Sequence, residues 1–333
     1  MTDLPAMPGA LVISLDFELH WGVRDHHDVS SPYVRNLLGA RSVIPRILQL
    51  FERFEIQATW ATVGMLGCDG REQLMRVRPH RVPAYLDGRL SPYSEIVGND
   101  EHEDPLHFAP SVIGQIANTI GQEVGSHTFS HFYCLEPGQT EPDFVADLEA
   151  VKRIHRSLGL PAPRSIVFPR NQVNERYFAT IIQHGFRVFR GNQPSWMYRP
   201  AGHASRKTQA WSRGARLLDA YLPLNGHHLT DWRDVLLPNG LCKVPASLFV
   251  RPCTRAHESR MRLREERISR AMTAAARQGK IVHLWWHPHN FGAAPEANLS
   301  ALERLLRSFS ALRDRYEMRS SSMSGIVEAI AAK

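Results

Sequence analysis

The stretch LVISLDFELHWG, residues 11–22, opens as an apolar run and ends in chemistry. Leu11, Val12 and Ile13 have the pattern of a buried strand. Asp16, Glu18 and His20 then stand at every second position. In extended chain that alternation sends all three toward one side. A buried strand ending in two carboxylates and an imidazole is costly, unless a cation or a reaction needs them or the carboxylates cap a turn.

Working outward, residues 56–63 (IQATWATV), 123–126, 165–168, 186–190, 243–250 and 281–286 read as further strands. Helical spacing is expected over 34–54, with Pro45 starting a second helix or a kink. It recurs over 111–120, 142–158, 175–184, 212–221, 258–278, 299–313 and 323–332. Seven strands alternating with helices imply a parallel sheet with right-handed crossovers, either an open doubly wound sheet or a barrel. Asp16, His127, Arg170 and His287 each follow a different strand, from the first to the last. That spread suits a ring whose strand ends build one site better than an open crevice. The expected fold is an α/β barrel of seven strands, a single domain over 1–333 with long insertions at about 64–110 and 191–241. A connection as long as 64–110 is expected to be a substrate loop over the strand ends or a solvated segment.

The composition is that of an ordinary globular protein, with 43% hydrophobic and 22% charged residues in 333. No apolar run is long enough for a transmembrane helix. The first ten residues lack a basic and then apolar leader pattern, so a cytoplasmic location is expected. Cys68, Cys134, Cys242 and Cys253 have no CxxC spacing and read as free thiols. A net charge of +7 could suit an anionic partner, but the densest basic run, 260–270, mixes Arg with Glu as a solvated helix face does. No nucleic-acid motif is present, and no nucleic-acid partner is expected.

Three further motifs carry chemistry. His127 and His131, in GSHTFSH, are spaced i and i+4, which on one helical turn can hold one metal ion. With a carboxylate from the first strand they make a set with open positions, suited to metal-assisted hydrolysis. Arg170, in VFPRNQ, can hold a carboxylate bidentately and keep it ionised. In HLWWHPHN, His287 and His289 follow an apolar strand and can act as general acid, while His283 reads as a core residue.

SLDFE, HTFSH, the arginine motif and LWWH, in this order, resemble the motifs of the polysaccharide deacetylases, the carbohydrate esterase family 4 or NodB-homology enzymes. The resemblance spans roughly residues 11–292. It implies a distorted (β/α)7 barrel and one divalent metal, zinc foremost. It is nearest to the deacetylase-like proteins of O-antigen and other surface-polysaccharide (lipopolysaccharide) pathways. By that comparison Asp16 is the general base, and Glu18, His127 and His131 are metal ligands. Arg170 orients the base, and His287 is the acid, with His289 its rival. Trp285 or Trp286 lines a pocket for the acetyl methyl, and His20 and His289 join them as substrate contacts. The family's first motif has adjacent aspartates, whereas Phe17 separates Asp16 from Glu18 here. Its arginine motif places the proline after the arginine, whereas Pro169 precedes Arg170. Asp231-Trp232 is the counterpart of an Asp and Trp pair. The implied activity is removal of an N-acetyl group from a nucleotide- or lipid-linked sugar precursor. The alternatives are a deformylase or other non-peptide amidase on the same scaffold, and a carbohydrate-binding homologue without turnover.

Overall fold

The computed structural model describes residues 7–193, 226–253 and 258–332. Strand β1 (Ala10–Phe17) is buried along its whole length. It pairs in parallel with β2 (Ala58–Thr62) on one side and β8 (Ile281–Trp286) on the other. From β2 the parallel sheet continues through β3 (Gln122–Ser126), β4 (Ser165–Ile166), β5 (Val188–Gly191) and β6 (Cys242–Pro245). β7 (Leu248–Phe249) pairs with β8.

β6 and β7 are two halves of the single strand expected over 243–250. At their junction Ala246 N donates to Gly191 O and Ser247 N to His283 O. One run of chain therefore pairs first with β5 and then with β8, and joins the two edges of the curled sheet. The result is a distorted (β/α)7 barrel. A further strand, β9 (Arg319–Ser321), was not expected. It pairs with Ala10–Val12 of β1, the part that β2, starting opposite Ser14, leaves open.

Among the described residues the helices are α1 (Val34–Arg53), α2 (Arg71–Val77), α3 (Pro110–Asn118), α4 (Glu141–Ser157), α5 (Phe178–Gln183), α6 (Glu258–Gln278), α7 (Pro295–Tyr316) and α8 (Met323–Ala331). The helix expected over 212–221 lies outside them. α1 runs unbroken through Pro45. Its apolar face buries Leu37, Val43, Ile44, Ile47, Leu48 and Phe51. Each such side chain contributes about 1.5–3 kcal/mol, which outweighs the cost of about 3 kcal/mol for an interior proline.

Alternation along β1 sorts the core. Leu11, Ile13, Leu15 and Phe17 pack outward with α1, α3, α6 and α7. Ala10 and Val12 face inward, in one cluster with Ala61, Val167, Val188, Val244 and Ile281 of the other strands. Met323 and Ile326 of α8 belong to that inner cluster and close the end where the strands begin. At the other end β8 runs into a turn at 288–292 that sits directly on α1. A side chain on Gly292 would overlap the Asn36 carbonyl oxygen, and one on Gly39 would meet the Gly292 backbone. No described helix is long and apolar enough to cross a membrane. All four cysteines are buried, and Cys68, Cys134 and Cys242 are free thiols.

Candidate active site

The inward face of β1 ends at Asp16, and the strand stops one residue later. Glu18 has left extended geometry (φ −131°, ψ −21°), and Leu19 is left-handed at φ 44°. A one-turn 3-10 helix, Leu19–Gly22, follows. The alternation expected through His20 therefore breaks at Glu18. Its carboxylate folds back over the position where Gly22 would carry a side chain. His20 turns away from the rim and is buried. Its Nδ1 lies 2.9 Å from His107 Nε2 and its Nε2 2.9 Å from the His27 carbonyl oxygen. It does not line the cleft at the strand ends, and the expected substrate contact is not made there.

His127 follows β3 directly, and its N–H donates to Thr62 O at 2.8 Å. The motif that it begins is no helix. Thr128 (φ 63°) and His131 (φ 56°) are both left-handed, so the i, i+4 pair is brought together by two tight turns. Asp147 of α4 holds the loop between them. It accepts from Phe129 N at 2.6 Å, from Ser130 N at 3.0 Å and from the Ser130 hydroxyl. Burial pushes the Asp147 carboxyl up to about 6, against those three hydrogen bonds.

The His127 Nδ1–H donates to the Val167 carbonyl oxygen at 2.8 Å, which leaves Nε2 bare toward the rim. His131 Nδ1 lies 3.1 Å from the Tyr133 hydroxyl. Glu18 Oε2 lies 3.3 Å from His127 Nε2 and 3.1 Å from His131 Nε2. These three ligand atoms, all buried, lie within 4.8 Å of one another. Burial lowers His131 to about 4, so its ring is neutral. Two oriented imidazoles and a carboxylate, each imidazole with a partner on its second nitrogen, fit a divalent transition metal.

Asp16 is held by an arginine, but by Arg190 of β5 in place of Arg170. Arg190 Nη1 and Nη2 donate to Asp16 Oδ1 and Oδ2, both at 2.7 Å. The same guanidinium reaches Asn171 Oδ1 at 3.0 Å and lies 4.3 Å from the Trp285 ring centre. Burial alone would raise the Asp16 carboxyl. Arg190 and the nearby His127 outweigh it and hold the group below its ordinary value. Arg170 stands at the cleft mouth, pairs with Asp25 and lies over the Tyr133 ring. Its backbone is left-handed (φ 53°), as is that of Asn171 (φ 54°). That turn carries the arginine past the base. The strand-end criterion that singled out Arg170 applies equally to Arg190, at the end of FRVFR.

His287 follows β8. Its Nε2 faces Asp16 Oδ2 at 3.7 Å and Glu18 Oε1 at 3.5 Å, and its Nδ1 lies 3.2 Å from Asn290 Oδ1. His289 stacks behind it at 4.9 Å and is almost fully buried, and burial lowers it to about 3. Of the two tryptophans only Trp285 lines the cleft. Trp286 is fully buried against Phe51 and Phe291, so its expected place in the acetyl pocket is not met. The opposite parity of the two residues on β8 is the cause. The cleft, about 340 Å³, is completed by Tyr33 and Phe249.

The connection 64–110 packs on this same rim. Gly64 N donates to Thr128 O at 2.9 Å, and Tyr133 N to the Tyr85 hydroxyl at 2.8 Å. None of its residues lines the cleft, so it braces the metal-binding loop from behind. Asp231-Trp232 also lies away from the cleft, with Trp232 in the inner cluster.

The comparisons with known proteins agree with this architecture. No curated protein matches the chain significantly in sequence. Several solved structures share the fold, three of them over nearly the whole chain. The first is a Mycobacterium smegmatis protein provisionally named a polysaccharide deacetylase (15% identity, TM-score 0.61), covering 99% of this chain and 95% of that one. The second is the Puue allantoinase (14% identity, TM-score 0.58; 99% and 95%). The third is a Pseudomonas aeruginosa PAO1 protein also provisionally named a polysaccharide deacetylase (13% identity, TM-score 0.56; 98% and 94%). The polysaccharide deacetylase family model matches residues 38–189, which contain His127 and His131. The match covers a little under half of the chain, and over that stretch the chain is similar to the polysaccharide deacetylases.

Proposed function

We propose that the chain is a metal-dependent hydrolase that removes the N-acetyl group from a sugar precursor of surface-polysaccharide assembly, of the O-antigen kind. One observation carries the reading. A set of metal-ligand type (Glu18, His127, His131), an arginine-held carboxylate (Asp16 with Arg190) and a histidine (His287) face one another across one cleft. Glu18, His127 and His131 would hold the ion, and zinc suits their mixed nitrogen and oxygen donors. Bound there, the ion supplies Lewis acidity.

The chain's own residues do the rest. Asp16, kept ionised and aimed by Arg190, takes a proton from the attacking water. The hydroxide formed adds to the amide carbonyl carbon. Asn290 sits on the Nδ1 side of His287, so Nε2 is the atom that faces the cleft. From it the departing nitrogen takes its proton as the C–N bond breaks, which leaves acetate and an amino sugar. Tyr33, Phe249 and Trp285 offer aromatic faces for the sugar ring. A nucleotide- or lipid-linked precursor, anionic in either form, fits the surplus of basic residues.

The test is acetate release from nucleotide- and lipid-linked N-acetyl sugars by zinc-loaded protein. Turnover is expected. Asp16→Asn should keep the metal and lose on the order of 10²-fold or more in rate. Glu18→Gln should weaken metal binding, with activity partly restored by excess zinc. A zinc-loaded wild type that releases acetate from none of these substrates would overturn the reading.

A further inference from the structure

Behind the rim, His20 of the first motif meets His107 of the 64–110 connection, and the two rings pose a problem of protons. His20 Nε2 faces the His27 carbonyl oxygen at 2.9 Å, which can only accept, so the His20 proton sits on Nε2. His107 Nδ1 faces both Asp104 carboxylate oxygens, at 2.9 and 2.8 Å. Half-burial would raise the Asp104 carboxyl, but His107 and the Gly98 amide hold it below its ordinary value. It is therefore an acceptor, and the His107 proton sits on Nδ1. The two nitrogens left over, His20 Nδ1 and His107 Nε2, are bare lone pairs pointing at each other across 2.9 Å. Two lone pairs at that distance repel unless they share a cation, either a proton between them or a metal ion to one side that both nitrogens ligate.

A third ligand is present. A Glu95 carboxylate oxygen lies within 4.8 Å of a ring nitrogen of each histidine. Both rings are almost fully buried, and Glu95 is half-buried at the edge. Each imidazole already has the partner that fixes a metal-binding histidine, a carboxylate on one and a backbone carbonyl on the other. The opposing charge is Arg24, whose guanidinium is committed to the Trp21 and Leu90 carbonyl oxygens. Two imidazoles and one carboxylate suit a divalent transition metal with an open position for water.

We propose that His20, His107 and Glu95 form a second metal site, which takes a zinc-like divalent ion and pins the exit of β1 to the 64–110 connection. The pinned segment is the turn that aims Glu18. Trp21 Nε1 donates to the His107 carbonyl oxygen at 2.8 Å, and His20 N to the Leu106 oxygen at 3.2 Å. An ion here would therefore brace the rim site without touching substrate.

Cobalt(II) titration of the full chain, followed by its visible d–d absorption and by metal analysis after dialysis, tests the proposal. Wild type should bind two ions. Glu95→Gln and His107→Ala should each remove one, and Asp104→Asn should weaken that ion by about 10–100-fold. His131→Ala should remove the other ion and leave this one, so a failure of the rim site and a failure of this site are separate missing steps. If His107→Ala does not fold, Glu95→Gln decides, because it keeps the volume of a half-buried side chain. Equal ion counts and affinities in wild type, Glu95→Gln and Asp104→Asn would overturn the proposal and assign the gap between the rings to a shared proton.

Discussion

Gly22 shows how a residue without functional groups can set a site. Its missing side chain leaves the space that the Glu18 carboxylate occupies. Gly22→Ala should displace Glu18 and lower metal affinity on the order of 10–100-fold, as loss of an orienting contact does. Metal analysis after dialysis checks this, and unchanged content would refute it. The two arginines make a second contrast. Arg190→Lys keeps the charge beside Asp16 but loses the two-pronged grip. It should cost on the order of 10²-fold in kcat, the scale of a misplaced catalytic group, with metal content unchanged. Arg170→Lys, at the mouth beside Asp25, should change kcat by no more than a few-fold. Equal losses in the two variants would return the orienting role to Arg170.

Among the elements, the loop from β3 to α4 decides whether the two histidines meet. Its shape rests on two left-handed residues and on Asp147, which reaches across from α4. Asp147→Ala leaves two buried N–H donors without acceptors, at about 1–3 kcal/mol each. Denaturant unfolding should show a loss of about 2–6 kcal/mol, and metal affinity should fall with it. The carboxyl also gives a pH signature. Its folded value is about 6 and its ordinary value 3.8. The folded state therefore binds the proton more tightly. The stability of wild type relative to Asp147→Asn should rise as pH falls from about 6 toward about 4, and level off below. A difference that does not change with pH would contradict the buried, strained carboxylate.

The whole molecule is a barrel closed twice. The segment with β6 and β7 joins its edges, and α8 stops its lower end with Met323 and Ile326. The site is at the opposite end, so stability and chemistry are separated along the barrel axis, as in other β/α barrels. Met323→Ala should cost about 2–5 kcal/mol of stability. The rate per folded molecule should stay near that of wild type. A rate loss as large as that of Arg190→Lys would show that the plug also shapes the rim.

The polar residues that follow β1, β3 and β8 were legible in the sequence because a buried strand that ends in ionisable groups is costly without a use for them. Asp16, Glu18, His127 and His287 could be named from that rule, together with the barrel itself, and His131 from its spacing to His127. Partnerships were not legible, because they join positions far apart in the chain. Arg190 lies on Asp16 because β5 crosses the barrel from β1, a distance that no local pattern measures. His20 carried the alternation rhythm of a site residue, yet a left-handed Leu19 turned it toward His107. Trp285 and Trp286 are equivalent as residue types, and the strand's phase alone put one in the cleft and the other in the core. The i, i+4 spacing of His127 and His131 suggested a helix, while the structure brings the pair together with turns. Local sequence thus determined which side chains stand at the strand ends. The closing of the barrel decided which of them touch.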